Sequence, residues 1–117
     1  MILTDTSVWV DHFRYSNAQL AQALLDGQVL MHPFVLGEIA CGNLRSRLEV
    51  LSELQQLPSA IPAGHDEVLA FLDRHRLFGT GITWVDAHLL ASARLSGCSL
   101  WTLDVRLLAQ AKRLHLN

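Results

Sequence analysis

The stretch GTGITWVDAHLLASARLSGCSLWTLD, residues 79–104, predicts one complete helix followed directly by one short strand. Thr83 and Asp86 stand three residues apart, as in the capping boxes that begin helices. Gly97 is the residue type at which helices commonly end. The apolar segment at 99–102 is too short for a helix and predicts a buried strand. A helix that leads into a buried strand is typical of α/β proteins.

The same alternation extends through the rest of the chain. We predict strands at 2–4, 29–31 and 99–102, and helices at 8–13, 19–26, 34–41, 66–74, 83–97 and 105–114. A further helical stripe is predicted from leucines at three- and four-residue intervals: Leu44, Leu48, Leu51 and Leu54. Only residues 114–117 follow the last helix, so a closing edge strand would be very short or absent. This order predicts a single domain over 1–117, of α/β class, with a short, mostly parallel sheet covered on both faces.

Composition limits the class of protein but not its activity. The chain has 117 residues, of which 50% are apolar, and a net charge of −2, which suits one folded domain. Nine acidic residues oppose three arginines before residue 74, whereas six basic residues oppose two acidic ones from there on. This asymmetry allows a phosphate-contacting surface, although solvated helix faces explain it equally well.

The cysteines and the apolar segments predict the cellular compartment of the protein. Cys41 and Cys98 are far apart and show no metal-binding or disulfide spacing, which favours a reducing compartment. The start of the chain does not resemble a signal peptide, and no apolar run approaches the ~18 residues that suggest a membrane span. We therefore expect a cytoplasmic protein without a membrane partner.

Four carboxylates interrupt otherwise apolar segments. Asp5 follows the first predicted strand and Asp104 follows the last. Asp86 lies in the first turn of one helix, and Glu38 lies about one turn into another. Because the carboxyl ends of parallel strands meet at one edge of the sheet, we expect Asp5 and Asp104 to lie together and the other two to join them.

Each carboxylate also has a structural interpretation. Asp5 and Asp104 can cap helices, Asp86 can complete the capping box with Thr83, and Glu38 can face solvent. A cluster of all four would need a cation or protons, because two carboxylates about 4 Å apart repel by roughly 4 kcal/mol at an effective dielectric of 20. Oxygen ligands without Cys or His suit Mg²⁺ or Mn²⁺. Such an ion can activate water for phosphodiester hydrolysis.

Four segments along the chain each contain one of these carboxylates: LTDTSVWVDHF (3–13), VLGEIACG (35–42), GITWVDAHLLASARLSG (81–97) and LWTLDVRLLAQAKRL (100–114). In these segments and their order, the chain resembles the PIN-domain ribonucleases, and in particular the VapC-type toxins of toxin–antitoxin pairs. The resemblance covers essentially the whole chain. The resemblance implies a PIN-like three-layer α/β/α fold. It also implies an acidic metal site with two supporting hydroxyl groups, formed by Asp5, Glu38, Asp86 and Asp104 with Ser7 and Thr102.

The resemblance further implies an activity and a partner. The activity is cleavage of single-stranded RNA by a water molecule that Mg²⁺ or Mn²⁺ activates, leaving 5′-phosphate and 3′-hydroxyl ends. The partner is an antitoxin that lays a helix into an apolar groove and places a basic side chain near the carboxylates. The composition itself predicts a homodimer, because a small domain with Leu-rich helices should leave apolar surface exposed.

Other residues near these motifs have competing interpretations. Trp9, Trp84 and Trp101 could stack a base, but packing beneath the site is the favoured interpretation. For His12 and His88, a surface or supporting position is favoured over a catalytic role. Five arginines are candidates for phosphate contacts that the sequence does not distinguish: Arg14, Arg45, Arg47, Arg94 and Arg106.

Two other classes of function compete with the nuclease. The first is a non-catalytic PIN-like module that binds RNA or protein. The presence of all four acidic residues argues against this class. The second is a phosphatase-like or receiver-like domain, which would need a lysine beside a nucleophilic aspartate. The single lysine, Lys112, lies on the last predicted helix and does not follow a strand.

Overall fold

Three short parallel strands form the centre of the protein, as seen in a computed structural model that describes residues 1–117. The strands are Ile2–Thr4 (β1), Val29–Leu30 (β2) and Ser99–Trp101 (β3), arranged in the order β2-β1-β3. The helices are Thr6–Tyr15 (α1), Ala18–Leu25 (α2), Pro33–Ala40 (α3), Arg47–Gln55 (α4), His65–Arg74 (α5), Trp84–Ser96 (α6) and Val105–Arg113 (α7). The predicted α/β class and the parallel sheet are confirmed. None of the helices combines the length and the apolar composition needed to cross a bilayer.

Both faces of the sheet are covered. Successive side chains of a strand point to opposite faces, and the adjacent residues Leu3 and Thr4 are both fully buried. Val29 and Leu30, on the neighbouring strand, are buried in the same way. The helices pack in two groups, with α1 to α4 in contact in one group, and with α5 against α6 and α6 against β3 in the other.

Both edges of the sheet are protected by segments outside the strands. Met31 pairs with the chain at Ser59, because its N–H donates to the Pro58 carbonyl and its carbonyl accepts from Ala60, each over 2.8 Å. At the other edge, the N–H of Leu100 donates to the carbonyl of Leu116. No strand follows α7, as predicted, and the end of the chain covers the edge in its place.

Several predicted elements differ from the structure. The strands predicted at 29–31 and 99–102 each end one residue earlier, at Leu30 and Trp101, and Met31 forms only an isolated bridge. The helix predicted at 8–13 is longer, because it spans Thr6–Tyr15.

The prediction of one stripe from Leu44 to Leu54 was wrong. Ser46 takes a left-handed conformation (φ 51°) and separates Leu44 from α4, and on that helix Leu48 is 81% exposed while Leu54 is buried.

His32 and Pro33 set the start of α3. The fixed backbone of Pro33 suits the first position of a helix, and Nδ1 of His32 accepts a hydrogen bond from the N–H of Phe34 over 3.0 Å. The imidazole is buried, with 1% of its surface exposed. A buried ring that accepts this bond is held in its neutral form.

We predict that this ring makes the protein less stable in mild acid. Burial, and then the neighbouring His88, lower the pKa of His32 from 6.5 to about 4. Between these pH values the unfolded chain binds a proton at His32 and the folded chain does not, so the free energy of unfolding falls as the pH falls. At about 1.4 kcal/mol per pKa unit, titration of His32 lowers the free energy of unfolding by up to about 3 kcal/mol between neutral pH and pH 4.

Urea unfolding across this pH window measures the effect. The control is His32→Asn, whose side chain can still cap the helix but does not titrate, so its stability should depend less on pH. Equal pH dependence in both proteins would contradict the prediction.

Candidate active site

Asp5 lies at the junction of β1 and α1, and two hydroxyl groups hold its carboxylate. Its side chain accepts no capping bond from α1, although the residue occupies the N-cap position. Oδ2 instead accepts hydrogen bonds from Ser7 Oγ over 2.8 Å and from Thr102 Oγ1 over 2.7 Å. Asp5 therefore occupies the N-cap position without capping α1 through its carboxylate, and the capping interpretation of this side chain was wrong.

The same two hydroxyl groups fix the loop after β3. Ser7 Oγ accepts from the N–H of Leu103, and Thr102 Oγ1 accepts from the N–H of Asp104, each over 3.0 Å. Each hydroxyl thus donates to Asp5 and accepts from the loop. This is the geometry that supporting groups for Asp5 and Asp104 would need.

Asp86 and Asp104 each cap a helix with one carboxylate oxygen. Asp104 Oδ1 accepts from the N–H of Leu107 over 2.9 Å, and Asp86 Oδ2 accepts from the N–H of Thr83 over 3.0 Å. The N–H of Asp86 donates in return to Thr83 Oγ1, so the predicted capping box is confirmed. In both aspartates the second oxygen takes no hydrogen bond from the protein.

The three aspartates lie within range of one another's charge. Burial raises the pKa of Asp86, and the negative charges of Asp5 and Asp104 raise it further, while hydrogen bonds from Thr83 act in the opposite direction. The structure therefore brings these three carboxylates to the same edge of the sheet, where β1, β3 and α6 meet.

Glu38 joins this group through a hydrogen bond. It is exposed on α3, and its Oε1 accepts from Thr6 Oγ1 over 2.7 Å. Thr6 follows Asp5 directly and was missed as a site residue in the sequence. Its position between Asp5 and Ser7, in the polar segment DTS, was the available signal.

The four carboxylates have the donor chemistry of a hard divalent ion. Each uses one oxygen in a hydrogen bond within the protein and keeps the other outside such bonds. No three acidic, His or Cys side chains converge closely enough to form a ready-made metal site. Mutual repulsion spaces carboxylates apart, and a divalent ion would draw them together. The donor set fits Mg²⁺ or Mn²⁺.

The structure separates the three tryptophans. Trp9 is buried, as predicted, and Trp101 is half-buried. The prediction that Trp84 packs beneath the site was wrong, because this side chain is 37% exposed. Trp84 is the first residue of α6, and its ring stands between those of His65 and His88.

The arginine candidates differ in their surroundings. Arg47 and Arg94 each donate a hydrogen bond to a backbone carbonyl, over 2.9 and 3.0 Å. Arg106 instead lies across the loop before α6, where a Cβ added to Gly81 would be 2.8 Å from its Cδ. This position lies beside the starts of α6 and α7, whereas Arg14 and Arg45 line the same cavity as Glu38.

Comparison with known proteins identifies the family. Residues 2–114 match the PIN domain family. Ribonuclease VapC32 of Mycobacterium tuberculosis is 45% identical to the chain over 113 residues, both in strain CDC 1551 / Oshkosh and in strain ATCC 25618 / H37Rv. The aligned region makes up 93% of this chain and 89% of that ribonuclease. The chain therefore belongs to the PIN domain family.

Proposed function

We propose that this protein is a Mg²⁺-dependent endoribonuclease and the toxin of a toxin–antitoxin pair. The observation that carries the proposal is the grouping of Asp5, Asp86 and Asp104 at one edge of the sheet, each with an oxygen free to bind a metal ion. The similarity to Ribonuclease VapC32 supports RNA as the substrate.

The residues at this edge of the sheet would have different roles in catalysis. Asp5, Asp86 and Asp104 would hold Mg²⁺ or Mn²⁺, and Glu38 would complete the site or orient the attacking water. A bound ion supplies an activated water and stabilises charge on the phosphate oxygens. Ser7 and Thr102 would keep Asp5 oriented, as outer groups do at metal sites.

An apolar groove beside the carboxylates supports an antitoxin as partner. A cavity of about 380 Å³ is lined by Val10, Phe13 and Glu38, and a second of about 340 Å³ is lined by Phe13, Leu54 and Leu57. The two share Phe13 and Val50, so a path runs between α1 and α4 to Glu38, and Arg14 and Arg45 line it beside the apolar side chains. A partner helix in this groove would place a basic side chain at Glu38. A homodimer and a cytoplasmic location stay predictions.

We expect brief expression of the chain alone to arrest growth and to create new RNA 5′-phosphate ends, which sequencing of RNA ends detects. Co-expression of the small reading frame beside it should restore growth and remove these ends, and the two proteins should co-purify. An Asp5→Asn chain is the control and should create no new ends. New ends that persist with the neighbouring frame would refute the antitoxin, and a lack of new ends would refute the nuclease.

A further inference from the structure

Two exposed aromatic side chains near the carboxylates share one buried neighbour. Phe34 and Trp84 are 38% and 37% exposed, whereas His88 is 5% exposed. The ring centroid of His88 lies 4.6 Å from that of Phe34 and 4.7 Å from that of Trp84. These three side chains form one surface, which we call the aromatic patch. His32 and His65 contact its two ends, at 5.2 Å from Phe34 and 5.0 Å from Trp84.

The aromatic patch is formed by the same two helices that carry Glu38 and Asp86. Phe34 is one helical turn before Glu38 on α3, and Trp84 is two residues before Asp86 in the first turn of α6. The contact of Phe34 with His88 shows that the start of α3 meets α6 at this point. A strand of RNA with its phosphate at the carboxylates would therefore pass beside the aromatic patch.

Contacts with neighbouring rings cover most of Phe34 and Trp84 but leave 38% and 37% of them exposed. Both helices are capped without them, by His32 and Thr83. The core is filled by other residues of the same helices, since Val35 and Leu89 are fully buried. Single exposed aromatic residues are common, but two rings that share a buried neighbour give a surface of defined geometry.

We propose that the aromatic patch binds one unpaired base of the RNA by stacking, next to the phosphate that is cleaved. This inference rests on the proposed function. Every base has a π-face that aromatic side chains can stack on, and the aromatic patch contains no Lys or Arg to bind a phosphate. A partner helix has its own groove between α1 and α4. Bases in a duplex are already stacked on both faces, so the aromatic patch selects single strands.

The test is the affinity for a fluorescent single-stranded oligoribonucleotide in Mg²⁺, measured by anisotropy. All proteins carry Asp5→Asn, so binding is measured without cleavage. Adding Trp84→Leu removes the ring but keeps apolar bulk, and should raise the Kd about tenfold to a hundredfold. Adding Trp84→Phe keeps a stacking ring and should restore most of the affinity. The control is Tyr15→Leu, which removes a ring that is 77% exposed elsewhere and should leave the Kd unchanged.

Oligoribonucleotides that lack one base, at each position in turn, identify the contact. One such position should raise the Kd for the protein with Trp84 but not for Trp84→Leu, because the two changes remove the same interaction. An unchanged Kd in folded Trp84→Leu would overturn the proposal, as would equal losses at that position in both proteins. A change in oligomeric state on sedimentation, with an unchanged Kd, would assign the aromatic patch to contacts between copies. Cleavage of the same RNA by the unmutated protein tests the nuclease separately.

Discussion

Asp5→Asn will lower the rate of RNA cleavage by more than about a hundredfold, since loss of an outer partner of a metal ligand already costs 10–100-fold. The amide can still accept hydrogen bonds from Ser7 and Thr102, so the loop after β3 should stay in place. The substitution of Asn for Asp5 removes the negative charge that would bind a divalent ion. Stability should hold or rise, because repulsion of Asp5 from Asp86 is relieved. Initial rates on single-stranded RNA and thermal unfolding measure the two effects.

Asp11→Asn is the matched control. Asp11 lies on α1, the helix that Asp5 precedes, and accepts a hydrogen bond from Asn17 Nδ2 over 3.0 Å. The same chemical change there should leave cleavage unaltered. A folded Asp5→Asn protein that cleaves RNA as fast as the unmutated chain would remove Asp5 from the active site.

Removal of divalent ions with EDTA will abolish cleavage, and an excess of Mg²⁺ or Mn²⁺ will restore it. The carboxylates do not converge into a ready-made site, and Mg²⁺ commonly relies on substrate phosphates for part of its coordination. Binding of Mg²⁺ without RNA should therefore be weak, and RNA should strengthen it. Calorimetric titration with and without a non-cleavable RNA measures this difference.

Asp104→Asn gives the control for metal binding. The amide oxygen can still cap α7, so folding should survive while the heat of metal binding falls. Undiminished cleavage in EDTA would refute the metal mechanism. RNA binding without any metal-dependent cleavage would instead favour the non-catalytic module.

Local signals in the sequence predicted most of the fold. Apolar segments bounded by capping and stop residues located all three strands, and Thr83, Asp86 and Gly97 set the ends of α6 as predicted. The edge contacts of Met31 and Leu100 were harder to predict, because they depend on distant backbone groups. The left-handed conformation at Ser46 was also hard to predict, because this position is not a glycine.

In the candidate site too, local signals predicted some features and contacts between distant elements determined the others. The order of strands and carboxylates predicted that Asp5 and Asp104 lie at one edge. Capping does not exclude a metal-binding role, because Asp86 and Asp104 each use only one carboxylate oxygen for capping. The hydroxyl bond from Thr6 to Glu38 and the exposure of Trp84 depend on how α1, α3 and α6 meet. Sequence spacing within one helix contains no information on such contacts.

The pairing of β1 with β3 has a consequence for the synthesis of the protein. Asp5 is synthesised 97 residues before Thr102, which holds its carboxylate, and Asp104 follows Thr102. The acidic site therefore cannot assemble before the segment that contains Thr102 and Asp104 has left the ribosome, however early α1 and α2 form. Until then, the nascent chain presents the ribosome with an incomplete site.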